Sequence, residues 1–172
     1  MNIDDDDFTL FALPERFAVD LAQLDRRWRE LQTEVHPDRF AAQGAAAQRI
    51  AMQWSVRVNQ AYQRLKDPLK RAAYLCERRG APVNAERNTA MPREFLMQQM
   101  AWREALDEAQ DAAAMQALDA RVAAQEQALL GRLQASFDEH NDVAAAAEQL
   151  RALMFVARFR QDVEQRLDAL ES

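Results

Sequence analysis

This chain has little with which to build anything covalent or metallic. Cys76 is its one cysteine, His36 and His140 are its two histidines, and glycine occurs three times in 172 residues. A lone thiol cannot close an internal disulfide, which excludes a disulfide framework and fits a reducing compartment; the cytoplasm is the plain expectation. No Cys/His set has zinc-ligand spacing, and no glycine-rich phosphate loop or nucleophile elbow is present. No bound metal, no cofactor and no enzymatic activity are therefore expected. His36 with Asp38 can be drawn as an acid/base dyad, but no nucleophile accompanies it. No apolar run is long enough to cross a bilayer. The N-terminus opens on Asp4-Asp5-Asp6-Asp7 instead of a basic segment and an apolar stretch, so no secretory signal is expected. Positive charge is short too. The net charge of −6 and a pI near 5.0 argue against general nucleic-acid binding.

What remains is helical pattern. Hydrophobic residues make up 49% of the chain, enough for a core in one or two domains. Leu21, Leu24, Trp28, Leu31 and Val35 recur at three- and four-residue steps, and so do Ala51, Trp54, Val58, Ala61 and Leu65. Each set is one apolar face of an α-helix. Asp20 with Gln23 reads as a capping box that starts the first helix near Leu21. Pro37 pushes His36 out of the α region and ends it. An antiparallel hairpin with His36-Pro37-Asp38 in its loop is predicted, the small residues Ala41 to Ala47 prolonging the turn and the second helix running from about Gln48 to Lys66. Phe8, Leu10, Phe11 and Leu13 should pack on this hairpin. Asp67-Pro68 begins a third helix that Gly80 terminates. Residues 1–80 carry 12 acidic and 13 basic side chains, and residues 81–172 carry 16 and 9. That asymmetry fits two modules with different partners, or ordinary surface variation.

The expected architecture is all-α: an N-terminal unit over 1–79, a linker over 80–91, and an antiparallel three-helix bundle over 92–172. The bundle helices are expected near Pro92–Gln110, Ala113–Phe137 and Asp142–Leu170. On a helical wheel with Leu96 at zero, Phe95, Trp102, Leu106 and Ala109 fall within roughly 220–280°, an ordinary core stripe. Leu96, Met97 and Met100 fall at about 0°, 100° and 40°, with Glu104 and Glu108 at about 80° and 120°. A second face, apolar at one end and acidic at the other, suits a protein-binding surface, although a broad core is the alternative. Met154-Phe155-Val156 points in three directions, so at least one of the three should be exposed or near a partner.

Context makes the tripeptide specific. An apolar helix leads into His36-Pro37-Asp38-Arg39-Phe40, then Val58-Asn59-Gln60-Ala61-Tyr62-Gln63-Arg64-Leu65-Lys66-Asp67-Pro68, then Arg71-Ala72-Ala73-Tyr74. This resembles a J-domain, the module by which co-chaperones engage DnaK-type ATPases. Phe8-Thr9-Leu10-Phe11-Ala12-Leu13-Pro14 and Phe95-Leu96-Met97-Gln98-Gln99-Met100-Ala101-Trp102-Arg103-Glu104 extend the resemblance to the HscB family of iron–sulfur cluster assembly.

The resemblance implies two partners. The chaperone HscA would meet the J-domain through His36, Pro37, Asp38 and Arg39 and through Arg26, Arg27 and Arg29 on the preceding helix. The scaffold IscU would meet Leu96, Met97, Met100, Glu104, Glu108 and Phe155, with Ala101 in the same set at a position associated with Glu. Glu30 and Glu34 interrupt the basic helix, which points to a dedicated chaperone. A general J-protein for DnaK is the first rival, opposed by the missing Gly/Phe-rich linker and cysteine-rich zinc domain. A structural helical adaptor is the second.

Overall fold

The computed structural model describes residues 1–83 and 91–172, so Asn84 and most of the expected linker lie outside the described residues. Seven α-helices are described: α1 Asp7–Leu10, α2 Leu21–Val35, α3 Ala45–Lys66, α4 Pro68–Arg78, α5 Arg93–Glu108, α6 Ala112–Asp138 and α7 Val143–Glu171. No strand occurs among the described residues. The chain divides into two compact units, Met1–Leu75 and Cys76–Ser172. The division falls inside α4 and not in the expected 80–91 stretch, because the last turn of α4 groups with the C-terminal unit.

In the first unit, α2 and α3 form the expected antiparallel hairpin. The Asp20 carboxylate accepts from the Gln23 N–H, capping α2 as its sequence predicts. Leu24, Val35, Ala51, Val58, Ala61 and Leu65 are buried between the helices. Leu21 is not: in the first turn of α2 it stands 48% exposed. Polar groups also clasp the hairpin. Trp28 stacks on Tyr62 with ring centroids 4.6 Å apart. The Tyr62 hydroxyl donates to Asp25 at 2.6 Å, and that bond, reinforced by burial, raises the Tyr62 pKa. The Asn59 carbonyl accepts from Trp28 Nε1 at 3.0 Å and from Gln32 Nε2 at 2.5 Å.

The Pro37–Gln43 stretch, expected as turn, is a 3-10 helix, and α3 begins at Ala45, ahead of the expected Gln48. An alanine-rich stretch shows no contrast between faces, so periodicity cannot locate its first turn. Gly44 separates the two helices at φ +96°, a conformation that costs a residue with a Cβ.

Ahead of α2, Phe8, Leu10, Phe11, Leu13 and Phe17 are buried, as the early apolar cluster predicts. Asp7, the last of the four N-terminal aspartates, is fully buried. Its carboxylate accepts from Arg57 Nη1 at 2.9 Å, Arg64 Nε at 2.5 Å and Arg64 Nη2 at 2.8 Å. Its N–H donates to the Tyr74 hydroxyl at 3.0 Å. Asp7 thus ties α1 to α3 through its carboxylate and to α4 through its backbone N–H.

The second unit begins with a Schellman termination of α4. The Gly80 N–H reaches the Glu77 carbonyl and the Ala81 N–H reaches Cys76, with Gly80 at φ +80°. Cys76 is fully buried. The helices α5, α6 and α7 form the three-helix bundle. Asp111 and Asp142 cap α6 and α7 by accepting from Ala114 and Ala145. Leu118, Val122, Leu133, Leu150, Leu153 and Val156 fill the core of the α6–α7 pair. Arg160 on α7 binds Asp119 at 2.9 and 3.0 Å and Glu126 at 3.1 Å, both on α6.

Candidate functional site

His36 ends α2 with extended backbone (φ −61°, ψ 129°), as a residue before proline should, and serves as N-cap of the 3-10 helix. Its Nδ1 accepts the Asp38 N–H at 3.3 Å. The Asp38 carboxylate lies 3.6 Å from Nδ1, and its side chain is 92% exposed against 55% for His36. Pro37 occupies the first position of the 3-10 helix, where its fixed φ and missing N–H suit the turn. Arg39 folds back, donating from Nη1 to the Thr33 carbonyl at 3.2 Å while its N–H reaches the His36 carbonyl at 3.0 Å. The loop therefore holds its own shape through backbone bonds and presents a nearly free carboxylate. A group so placed can receive a bidentate arginine from a partner.

The arginines of α2 divide. Arg26 and Arg29 are exposed and lie about 60° apart on the helix wheel. Arg27 is half-buried and about 160° from Arg29. The three do not share one face.

In the second unit, Trp102 and Leu106 of α5 are buried, and the opposite face is open. Leu96, Met97 and Met100 are 43%, 59% and 71% exposed, and Ala101, Glu104 and Glu108 are exposed with them. All six fall within a sector of about 140°, so spacing alone located this face. Phe155 is half-buried on α7. Trp102 contacts Phe159 and Arg103 pairs with Asp162, so α5 and α7 run parallel, and Phe155 sits one turn before Phe159, level with Gln98. Of the Met154–Val156 trio none is fully exposed: Val156 is buried, and Met154 and Phe155 are half-buried. Periodicity carries no signal for Ala145 and Ala152 on α7, whose small side chains line a cleft with Phe95. Among the described residues no His, Cys, Asp and Glu group is arranged to hold a metal ion.

Comparison with known proteins agrees with both halves of this description. A family model described as the HSCB C-terminal oligomerisation domain matches residues 91–164. A co-chaperone protein HscB homolog of Bordetella petrii is 49% identical over 160 residues, covering 92% of this chain and 94% of that protein. The chain belongs to the HscB family. Among solved structures, the chaperone HscB from Vibrio cholerae superposes with a TM-score of 0.83 at 36% identity, covering 96% of this chain and 99% of that one. Human co-chaperone HscB gives a TM-score of 0.86 at 29% identity, covering 99% and 84%. As an HscB-family protein the chain is a J-type co-chaperone, and a chaperone is its partner. No helix among the described residues is long and apolar enough to cross a membrane.

Proposed function

We propose that this co-chaperone works in the cytoplasm, stimulates ATP hydrolysis by the DnaK-type chaperone HscA, and delivers the iron–sulfur scaffold IscU to it. One observation supports this reading above the others. The same chain carries a self-braced His36-Pro37-Asp38 loop with an exposed carboxylate and, in its other unit, the exposed apolar and acidic face of α5.

The co-chaperone performs no chemistry in this account. Asp38 offers its carboxylate to an arginine of the ATPase that otherwise serves coupling between the chaperone's domains. Binding favours the state nearer to hydrolysis, and only such differential affinity can shift the chaperone's equilibrium. Arg26, Arg29 and Arg39 add positive charge to this side, with Arg27 apart from them. Leu96, Met97, Met100, Ala101, Glu104, Glu108 and Phe155 hold the scaffold.

The test is HscA turnover with limiting IscU. Replacing Leu96 and Met97 together by Ala should abolish the extra stimulation that IscU brings while leaving stimulation by the co-chaperone alone intact. Equal loss of both would contradict a division of labour. Stimulation of a general DnaK but not HscA would replace the dedicated partner by a generic one.

A further inference from the structure

The described ring and polar contacts between α5 and α7 gather at one end of α5. Among the described residues, its ring contact and ion pairs with α7 all fall in its second half. Trp102 lies on Phe159 at 5.7 Å, Arg103 on Asp162 at 3.8 Å, and Arg166 donates to the Leu106 carbonyl and to Asp107 at 3.1 and 2.9 Å. In the first half the packing lapses. Phe95 belongs to the core stripe by its spacing, yet it is only half-buried. Between it and the α6–α7 pair runs a cleft of about 540 Å³, walled by Phe95, Leu129, Ala145 and Ala152 and rimmed by Arg132 and Glu148. That volume lies inside the range of roughly 300–1,000 Å³ typical of binding pockets. The small side chains at 145 and 152 create it.

The cleft is continuous with the exposed face of α5. Its α5 edge is formed by Glu94 and Gln98. On the wheel these stand at about 160° and 200°, directly beside Met97 and Ala101 at about 100° and 140°. On α7, Phe155 follows the cleft residue Ala152 by three positions, on the same side of the helix. Charge identifies what fits. Glu94 and Glu148 at the mouth outnumber the Arg132 guanidinium there, and along the face Glu104, Asp107 and Glu108 outnumber the exposed Arg93 and Arg103. An apolar wall of Phe95, Leu129, Ala145 and Ala152, edged by Gln98 and Gln149 and with an acidic mouth, favours an apolar group whose neighbour is positive.

We propose that this cleft is the anchor pocket of the scaffold-binding face. It takes one large apolar side chain of the scaffold protein that is flanked there by Lys or Arg, whose charge meets Glu148 and Glu94. The proposal rests on the reading that the α5 face binds the scaffold. It adds Phe95, Leu129, Ala145 and Glu148 to that interface, and the energetics follow the usual pattern of a buried anchor inside a flatter contact.

Calorimetric titration of apo-IscU into four full-length proteins tests it: the wild type, Ala145→Phe, Glu148→Lys, and Leu96→Ala with Met97→Ala. Filling the cleft in Ala145→Phe should raise Kd about tenfold or more, as loss of a buried anchor does. Glu148→Lys should raise it several-fold and lessen its dependence on salt. Stimulation of HscA without scaffold should stay unchanged in both. Glu148 is exposed, so this variant carries the test even if Ala145→Phe folds poorly. An unchanged Kd in a folded Ala145→Phe, with the Leu96/Met97 variant weakened, overturns the pocket and leaves the face standing. An unchanged Kd in Glu148→Lys overturns the basic flank. An unchanged Kd in the Leu96/Met97 variant overturns the reading on which the pocket depends.

Discussion

Replacing Asp7 by Ala should be among the costliest single changes in the first unit, although the residue belongs to an acidic run that looks like solvated surface. Three charge-assisted hydrogen bonds end on its carboxylate: one from Arg57 Nη1, and two from Arg64, through Nε and Nη2. Breaking a buried ion pair from one side costs about 3–5 kcal/mol. The lower part of that range applies here, because neither arginine is abandoned. Arg57 keeps bonds to the Ile3 and Asp5 carbonyls at 3.1 and 2.6 Å. Arg64 is 40% exposed and lies 4.3 Å over the Tyr74 ring, so water and the ring can take up its charge. A loss of about 2–4 kcal/mol follows after this discount for screening. In a unit of this size about 1 kcal/mol corresponds to about 4–8 °C, so Tm should fall by about 8–32 °C. The assay is urea and thermal unfolding followed by tryptophan fluorescence in a Trp102→Phe background, leaving Trp28 and Trp54 as reporters of the first unit. A loss below about 1 kcal/mol would refute the reasoning, since it would fall short of what even a single charged hydrogen bond contributes.

Three further outcomes are expected. Asn59→Ala removes the acceptor shared by Trp28 and Gln32 and, since both bonds are exposed, should cost about 0.5–1.5 kcal/mol in urea unfolding, with the Trp28 fluorescence altered in the folded state. Arg160→Ala leaves Asp119 and Glu126 facing each other without their cation and should lower stability by about 1–3 kcal/mol, with some recovery at high salt; no change would mean that the pair is a solvated surface contact. Burial pushes the Cys76 thiol up to about 11. A raised thiol pKa favours the neutral form in the folded state, so its contribution to stability is complete below the ordinary thiol value of 9.0 and is lost as pH rises toward 11. At pH 8 the native chain should react with a disulfide reagent far more slowly than the urea-unfolded chain, and equal rates would contradict the burial.

Much of this fold is written in local chemistry. Asp20, Asp67-Pro68, Gly80 and Asp142 mark helix ends because a cap, a proline or a positive φ acts within three residues, and such signals need no knowledge of the tertiary fold. The α5 face was legible for the same reason: Leu96, Met97 and Met100 oppose Trp102 and Leu106 by spacing alone. The start of α3 was not, since Ala45-Ala46-Ala47 offers no contrast between faces. Leu21 obeys the stripe and is exposed, because its period places it correctly but its turn lies at the end of the hairpin. Asp7 was hidden among its neighbours Asp4, Asp5 and Asp6. Its burial depends on Arg57 and Arg64, some fifty residues away, and no periodicity reports that. The cleft beside Phe95 was hidden likewise, for it depends on how α5 meets α6 and α7 along its length, which a wheel of one helix does not contain.

Stimulation depends on the exposed carboxylate of Asp38 in the proposed function, so the most direct measurement is single-turnover ATP hydrolysis by HscA with this protein and with Asp38→Asn. That substitution keeps the side-chain size and the Asp38 N–H bond to His36 Nδ1, and removes only the charge. The wild type should accelerate hydrolysis in the presence of IscU, and Asp38→Asn should return the rate to that of the chaperone with IscU alone. Full acceleration by folded Asp38→Asn would contradict the central claim.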